Sequence, residues 1–281
     1  MDRIKRKRII SDKFISFFNS AYFSITEPVK LTIARGKHEH LYRNSEEEPL
    51  VSVYVPTYNR GKILMERAVK SVLEQTYKNI ELIVVGDHCT DDTEKLLSRV
   101  DDPRLRFYNL PNRDKRYPDD VELHWLVGPV APSNKALELV RGKWIARIDD
   151  DDSWATDHVE SSLRFAQKGN YEFVSAAYIA ERNGVRKKIG IEGEPSGIGG
   201  TQTWLYRSYL KLFKYNINCW RKSWNRVNDA DLQDRIFKAG VRTGFLDKVV
   251  AYVLPRPGEE TIGLDAYQTD KENKLSHFRF S

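Results

Sequence analysis

The sequence predicts an α/β fold: a mostly parallel, doubly covered sheet with helices on both faces, completed by a smaller subregion. Three observations predict it. From residue 49 to 155, short β-rich apolar runs alternate with segments whose apolar residues recur at helical spacing. The 281 residues are 40% hydrophobic, enough to bury a sizeable core. No stretch approaches the roughly 18 consecutive apolar residues of a transmembrane helix.

Taken in order, Leu50 to Val55 reads as a buried strand closed by Pro56. Leu64, Ala68 and Val72, with Met65, Val69 and Leu73, mark a helix. Ile80 to Val85 is the second strand, ended by Gly86. Thr90 is expected to cap a helix whose first turn carries Asp91, Asp92 and Glu94. Leu105 to Tyr108 is the third strand, and 109–130 reads as a long loop. A helix over Asn134 to Val140 and a fourth strand over Lys143 to Ile148 follow. Beyond 155 come a helix over Val159 to Ala166 and a hairpin over 173–189 turning at Asn183-Gly184. Next is a glycine-rich stretch through Gly193, Gly197, Gly199 and Gly200. A helix over Asp229 to Ala239 stops at Gly240, and a strand runs from Gly244 to Leu254. The tail from Pro255 reads as loop. The expected division is therefore a basic, aromatic extension (1–48), a regularly alternating strand–helix half (49–155), and a less regular half with the tail (156–281), the last two being those to which the resemblance stated below assigns nucleotide-sugar and acceptor binding.

Lys and Arg number 46 against 40 Asp and Glu, a formal net charge of +6. An anionic partner is implied: nucleic acid, a membrane surface or a phosphorylated substrate. The extension opens on Arg3, Lys5, Arg6, Lys7 and Arg8, then places Phe14, Ile15, Phe17, Phe18, Tyr22 and Phe23 among polar residues. A helix of that composition suits peripheral contact with an anionic membrane, or packing on the next domain or a second subunit. No apolar run or small-residue cleavage site makes it a secretory signal. Cys89 and Cys219 form no C-x-x-C pair, which excludes a zinc ribbon and a thioredoxin motif. They fit a reducing compartment, most simply the cytoplasm. No nucleic-acid signature such as a zinc finger is present, and nucleic acid is not expected as a partner.

The chemistry concentrates at strand ends. Asp149-Asp150-Asp151-Asp152 follows the fourth strand. Four consecutive carboxylates repel one another, so they must be solvated, hydrogen-bonded or bound to a cation. Hard oxygen donors select Mg²⁺ or Mn²⁺, which take few protein carboxylates plus substrate phosphates. An acidic turn capping the next helix is the structural alternative. Pro56-Thr57-Tyr58-Asn59 ends the first strand and Asp87 follows the second, so both should meet the acidic run along one sheet edge. The ring of Tyr58 can flank a base, and Asp87 can accept from a base N–H. Asp149 and Asp150 can accept ribose hydroxyls. Asp229 stands at a helix start, as either a held base or a cap. Trp204 and Trp220 are candidates to stack on a substrate ring, against the commoner role of core aromatics.

Together these segments resemble glycosyltransferase family 2. The resemblance is carried by Val51 to Arg60, by Ser71 to Val85 followed by Asp87 and Thr90-Asp91-Asp92-Thr93, and by Asn134-Lys135-Ala136-Leu137. Arg141 to Ala146 and Ile148 to Trp154 extend it. It is strong over 50–166 and weaker over 201–254. It implies a GT-A fold and metal-dependent, inverting transfer of a sugar from a nucleotide diphosphate donor, UDP by default, to a saccharide or glycoconjugate hydroxyl. By resemblance, Pro56, Tyr58 and Asp87 surround the base, with Asn59 and Asn134 on the same donor side. Asp149 and Asp150 lie near the ribose, Asp151 holds Mn²⁺ or Mg²⁺, and Asp229 is the general base. His277 is a candidate further metal ligand.

Three positions depart from the family pattern. Gly86 replaces a further Asp, Asn228 an acid before the base, and Ser133 an Arg before the Asn. The last removes a diphosphate contact that Arg113, Lys115 or Arg116 are candidates to supply, unless they form a solvated charge run. A nucleotidyltransferase of related fold is the main alternative, but Pro56 to Gly61 lacks the glycine-rich phosphate loop that chemistry favours. A non-catalytic basic binding module is a weaker one.

Overall fold

The computed structural model describes residues 3–43, 48–190 and 200–269. Helix α1 (Arg3–His38) leads, and β1 (Val51–Thr57) follows. Helices α2 (Gly61–Leu64) and α3 (Lys70–Leu73) are joined by a π-helical turn (Met65–Val69). Next come β2 (Ile80–Gly86), α4 (Thr93–Leu97), β3 (Leu105–Asn109), α5 (Val121–Trp125), α6 (Val130–Leu139), β4 (Trp144–Arg147) and β5 (Asp152–Trp154). The remainder is α7 (His158–Lys168), β6 (Phe173–Arg182), β7 (Val185–Ile189), β8 (Leu205–Arg207), α8 (Asn228–Lys238), β9 (Thr243–Val253) and α9 (Leu264–Thr269), with short 3₁₀ turns between. The expected glycine-rich stretch over 193–199 and His277 lie outside the described residues.

One sheet spans the chain in the order β3-β2-β1-β4-β8-β6-β9-β5, with β7 paired to β6. Its first four strands are parallel, as the strand–helix alternation predicts. Beyond β4 the sheet is mixed: β8 is antiparallel to β4 and β6, while β9 is parallel to β6. The expected boundary at 155 falls inside this continuous sheet, after β5.

Both faces are covered, which is why the strands are apolar throughout. Val51, Val53 and Val55 face one core with Leu64, Val72 and Leu163. Between them, Tyr54 faces a second core with Leu137, Phe173 and Trp204. The polar exceptions are satisfied: buried Ser52 donates to Glu81 and accepts from the Gly142 N–H at 2.7 Å.

Several expected boundaries move for local reasons. β1 does not stop at Pro56 but runs to Thr57. The edge facing β4 is free there because that pairing ends at Tyr54 opposite Arg147, so the missing proline N–H costs no ladder bond. Thr90 does not cap α4. The Asp91 carboxylate accepts from the Thr93 N–H at 3.2 Å and so starts the helix later. The loop 109–130 contains α5, whose first turn is capped by Asp120 accepting from the Leu123 N–H at 2.9 Å. The 173–189 hairpin forms as expected, with Asn183 and Gly184 both at positive φ (51° and 73°).

Helix α1 is docked along the body. Leu31 is buried in the second core, Glu27 pairs with Arg235 of α8, and Arg35 donates to Glu172 at 2.7 Å. Both cysteines are free, and Cys219 is buried.

Candidate active site

Parallel register brings the ends of β1, β2 and β4 to one edge: Thr57 lies opposite Gly86, and Tyr54 opposite Arg147. The loops after these strands therefore place Tyr58, Asp87 and the acidic run side by side.

The cluster expected to flank a base is built around Asp87. Its residue is 1% exposed, its Oδ2 accepts from Arg113 Nε at 3.2 Å, and its Oδ1 is buried with no hydrogen-bond partner. Burial pushes this carboxyl up to about 6, with the Arg113 charge opposing the rise. Arg113 is itself buried, and its guanidinium lies 4.0 Å over the ring of Tyr58. Its Nη2 donates to His124 Nε2 at 2.8 Å. Burial and the Arg113 charge hold His124 down to about 4, so the ring is neutral and accepts at Nε2. Arg113, a candidate diphosphate contact, is thus turned inward to Asp87, Tyr58 and His124. Arg116 pairs with Asp114 on the exposed loop at 2.9 Å, which is the solvated-charge alternative.

Gly86 has a steric reason. A Cβ there would stand 2.6 Å from Asn109 Oδ1 and 3.0 Å from Cys89 Sγ. Asn109 uses that oxygen to accept from the Cys89 N–H at 2.8 Å and returns a bond to the Cys89 carbonyl. This clamp shapes the loop carrying Asp87. Gly86→Ala is expected to lower stability by about 1–3 kcal/mol, the usual penalty of overpacking, and to weaken nucleotide binding as the loop shifts. Thermal unfolding of the variant with and without nucleotide checks both effects.

Asp149, Asp150 and Asp151 offset their mutual repulsion with arginines. Asp149 accepts from Arg147 Nη2 at 2.7 Å. Buried Asp150 accepts from Thr57 Oγ1 at 2.7 Å and Arg60 Nη1 at 3.1 Å. Asp151 is flanked by Arg60 at 3.6 Å and Arg256 at 3.8 Å. Asp152 is buried in β5, where desolvation and its three acidic neighbours drive its carboxyl well up, with the Arg67 charge opposing. Arg67 fixes the turn to the C-terminal segment by donating to the carbonyls of Asp151 (2.7 Å), Leu254 (2.8 Å) and Pro255 (2.6 Å).

Arg147 was not singled out by sequence, although a charge inside Trp144-Ile145-Ala146-Arg147-Ile148 is a signal in itself. A buried strand arginine demands a counter-charge. It finds Asp149 on one side and the Tyr215 hydroxyl, at 3.0 Å, on the other. Tyr215 in turn meets the Tyr54 hydroxyl at 2.9 Å. The same guanidinium acts electrostatically on Asp229, at the start of α8. There, burial raises the carboxyl above its ordinary value, Arg147 pulls it down, and Asp149 adds to the rise. Asp229 Oδ1 also accepts from the Ala230 N–H at 2.8 Å. The acidic turn and the start of α8 therefore face one electrostatic space.

Some expected site residues are occupied elsewhere. Asn134 does not turn toward a donor: its amide closes two bonds of 2.9 Å with the Tyr215 backbone and so positions Tyr215. Asn59, at φ 49°, accepts from the Thr90 N–H at 2.8 Å and ties two loops together. Asp150 is consumed by Thr57 and Arg60 rather than free for a ribose. Trp204 is 1% exposed and packs edge-on against Phe173, and Trp220 is 5% exposed beneath Arg221. Neither presents a face to a sugar, so both are corrected to core residues. A cleft of about 600 Å³ lies between the β6–β7 hairpin and the end of β9, lined by Arg67, Glu181, Asn183, Leu254 and Glu259.

Among the described residues, no three His, Cys, Asp or Glu side chains converge on a point where a metal would sit. A divalent ion here would rest on one carboxylate and the donor phosphates, an arrangement Mg²⁺ and Mn²⁺ commonly use. Asp151 fits that part. Its side chain keeps 27% of its exposure, while Asp150 and Asp152 are buried and Asp149 is held by Arg147.

The glycosyl transferase family 2 model matches residues 52–117 and 121–227, more than half of the chain. The chain belongs to that family. It is 30% identical over 171 residues to an Escherichia coli UDP-Glc:alpha-D-GlcNAc-diphosphoundecaprenol beta-1,3-glucosyltransferase, covering 60% of this chain and 58% of that protein. It is 29% identical over 138 residues to a Campylobacter jejuni GalNAc(5)-diNAcBac-PP-undecaprenol beta-1,3-glucosyltransferase, covering 48% and 40%. The chain thus spans less than two thirds of these relatives' length. Among solved structures it resembles S. aureus TarS 1-349 in complex with UDP-GlcNAc, at TM-score 0.56 and 19% identity over 75% of this chain and 60% of that one. It also resembles the Pyrobaculum calidifontis mannosyltransferase PcManGT in complex with GDP-Man and Mn²⁺, at TM-score 0.57 and 17% identity over 84% and 69%. Those likenesses establish the GT-A fold, as the family 2 resemblance of the sequence implied.

Proposed function

We propose that this family 2 member transfers a sugar from a uridine diphosphate donor to a hydroxyl of a saccharide or glycoconjugate, with inversion. One observation carries the donor half of the reading: Asp87 Oδ1 is buried with no donor within hydrogen-bond distance, the Tyr117 hydroxyl near the carboxyl being held by the Gly128 carbonyl. An orphaned acceptor is costly unless a ligand donor completes it. Uracil offers an N–H flanked by carbonyls, so a carboxylate oxygen and the neighbouring Arg113 donor match its edge. Arg113 covers the ring of Tyr58, so a base stacking there moves or slides against the guanidinium.

Inversion needs a single displacement, hence one base and no protein nucleophile. Asp229 is the proposed base: its raised carboxyl is the better proton acceptor, and the Arg147 charge opposes that rise. Asp151 would hold Mn²⁺ or Mg²⁺, which neutralises charge on the departing nucleoside diphosphate. Arg60 and Arg256, already beside Asp151, are placed to take phosphate oxygens when the carboxylate is otherwise engaged. The two named relatives act on diphosphoundecaprenol-linked saccharides, which favours a lipid-linked acceptor for this chain as well.

The test is a donor-consumption assay with UDP-sugars and Mn²⁺. Transfer or slow hydrolysis is expected, lost on chelation. Asp151→Ala is expected to abolish the gain in UDP affinity that Mn²⁺ gives the wild type. UDP binding that responds to Mn²⁺ equally in both proteins contradicts the metal assignment.

A further inference from the structure

One face of α1 is docked, and the other is apolar and bare. On the docked face, Asp12 pairs with Arg221, Glu27 with Arg235, Arg235 lies 4.2 Å over Phe23, and Leu31 is buried. The opposite face shows Phe14 (64% exposed), Phe17 (68%), Phe18 (55%), Tyr22, Ile25 (69%) and Val29. Spacings of three and four residues place them along one side of the helix. So many aromatic and aliphatic side chains in water is unfavourable for a free surface.

Charge on this helix is sorted by face. Its two acids beyond residue 2, Asp12 and Glu27, are both turned inward and paired. Lys13, Lys30 and Lys37 are exposed beside the apolar stripe. The helix begins with Arg3, Lys5, Arg6, Lys7 and Arg8. An apolar stripe rimmed by cations and free of outward acids is complementary to an anionic bilayer, where rings sit at the headgroup level and lysines meet phosphates. A second copy of the same face would bring these cations together and is disfavoured by repulsion. The helix is not one that crosses a membrane: none among the described residues is long and apolar enough.

Orientation adds a reason. Helix α1 runs alongside α8 in the same direction, with Arg35 reaching the Gly240 carbonyl at 2.7 Å, Glu27 at Arg235, and Asp12 at Arg221. Its aromatic N-terminal half therefore stands at the end of α8 where Asp229 begins the helix. We infer that the exposed face of α1 lies in the surface of an anionic membrane and holds the Asp229 end of the site against it. The contact is made by the helix alone and is independent of the transfer reaction.

Co-sedimentation of the full chain with vesicles tests this, without donor present. Vesicles of one part phosphatidylglycerol to two parts phosphatidylcholine are expected to carry the protein down. Pure phosphatidylcholine should retain roughly tenfold less, and raised salt should release it. The triple variant Phe14→Ser, Phe17→Ser, Phe18→Ser is expected to bind roughly tenfold more weakly or worse while its thermal unfolding and UDP binding stay as in the wild type. Lys13→Glu with Lys37→Glu should weaken binding while every ring of the stripe is kept. The inference is overturned if the wild type stays in the supernatant with anionic vesicles. It is equally overturned if sedimentation in free solution shows a dimer that the triple variant abolishes and that vesicles do not compete for.

Discussion

Asp229→Asn is expected to leave the protein folded and able to bind UDP, yet to lower transfer by about 10²–10⁴-fold, the usual contribution of a positioned base. The amide can still accept from the Ala230 N–H, so the first turn of α8 keeps that bond. What it loses is the capacity to take the acceptor proton. Unfolding temperature, UDP titration and turnover on one preparation separate these roles. Full transfer by the variant removes Asp229 from the chemistry.

The second large effect is an asymmetry between Asp149 and Arg147. Arg147 is 2% exposed, whereas the Asp149 side chain keeps 35%. Asp149→Ala leaves a buried guanidinium without its hydrogen-bonded counter-charge and is expected to cost about 3–5 kcal/mol. Arg147→Met removes the buried charge itself. Asp149 can then rehydrate, and the Tyr54 and Tyr215 hydroxyls still satisfy each other. That variant should lie within about 1–2 kcal/mol of the wild type. Its signature is kinetic: without Arg147 the Asp229 carboxyl rises further, so the acid limb of the pH–rate profile moves to higher pH. Denaturant unfolding and pH–rate profiles of both variants measure the contrast. Equal destabilisation with an unmoved acid limb contradicts the coupling.

These predictions show what the sequence could carry. Strand–helix alternation and the ends of β1, β2 and β4 were legible because buried parallel strands leave continuous apolar runs, with polar loops at their carboxyl ends. So the edge where Tyr58, Asp87 and the acidic run meet was readable. The partners within that edge were not. Asn134 and Asn59 look like ligands in one dimension, but their amides bond to the backbone of Tyr215 and of Thr90. Arg113 reads as part of a charged loop, but α5 within that loop supplies His124, and the arginine is drawn inward to Asp87. Trp204 and Trp220 illustrate the same limit, since burial decides between stacking surface and core. The +6 charge is likewise clearer by location: the site's arginines are spent on its own aspartates, while α1 carries nine Lys and Arg against two acids in its sequence.

The central claim is that the buried Asp87 oxygen reads the base of a uridine diphosphate. Calorimetric titration with UDP and with CDP, each with Mn²⁺, tests it most directly, above and below pH 6. Uracil presents an N–H where cytosine presents a lone pair, and an unmatched buried acceptor costs about 1–3 kcal/mol. UDP is therefore expected to bind about 10- to 100-fold more tightly than CDP at pH 7.5. The preference should shrink as acid protonates Asp87, whose carboxyl burial pushes up to about 6, because the neutral acid accepts more weakly and its O–H can donate to the cytosine lone pair. Equal affinities at pH 7.5, or no binding of either nucleotide, would contradict the account.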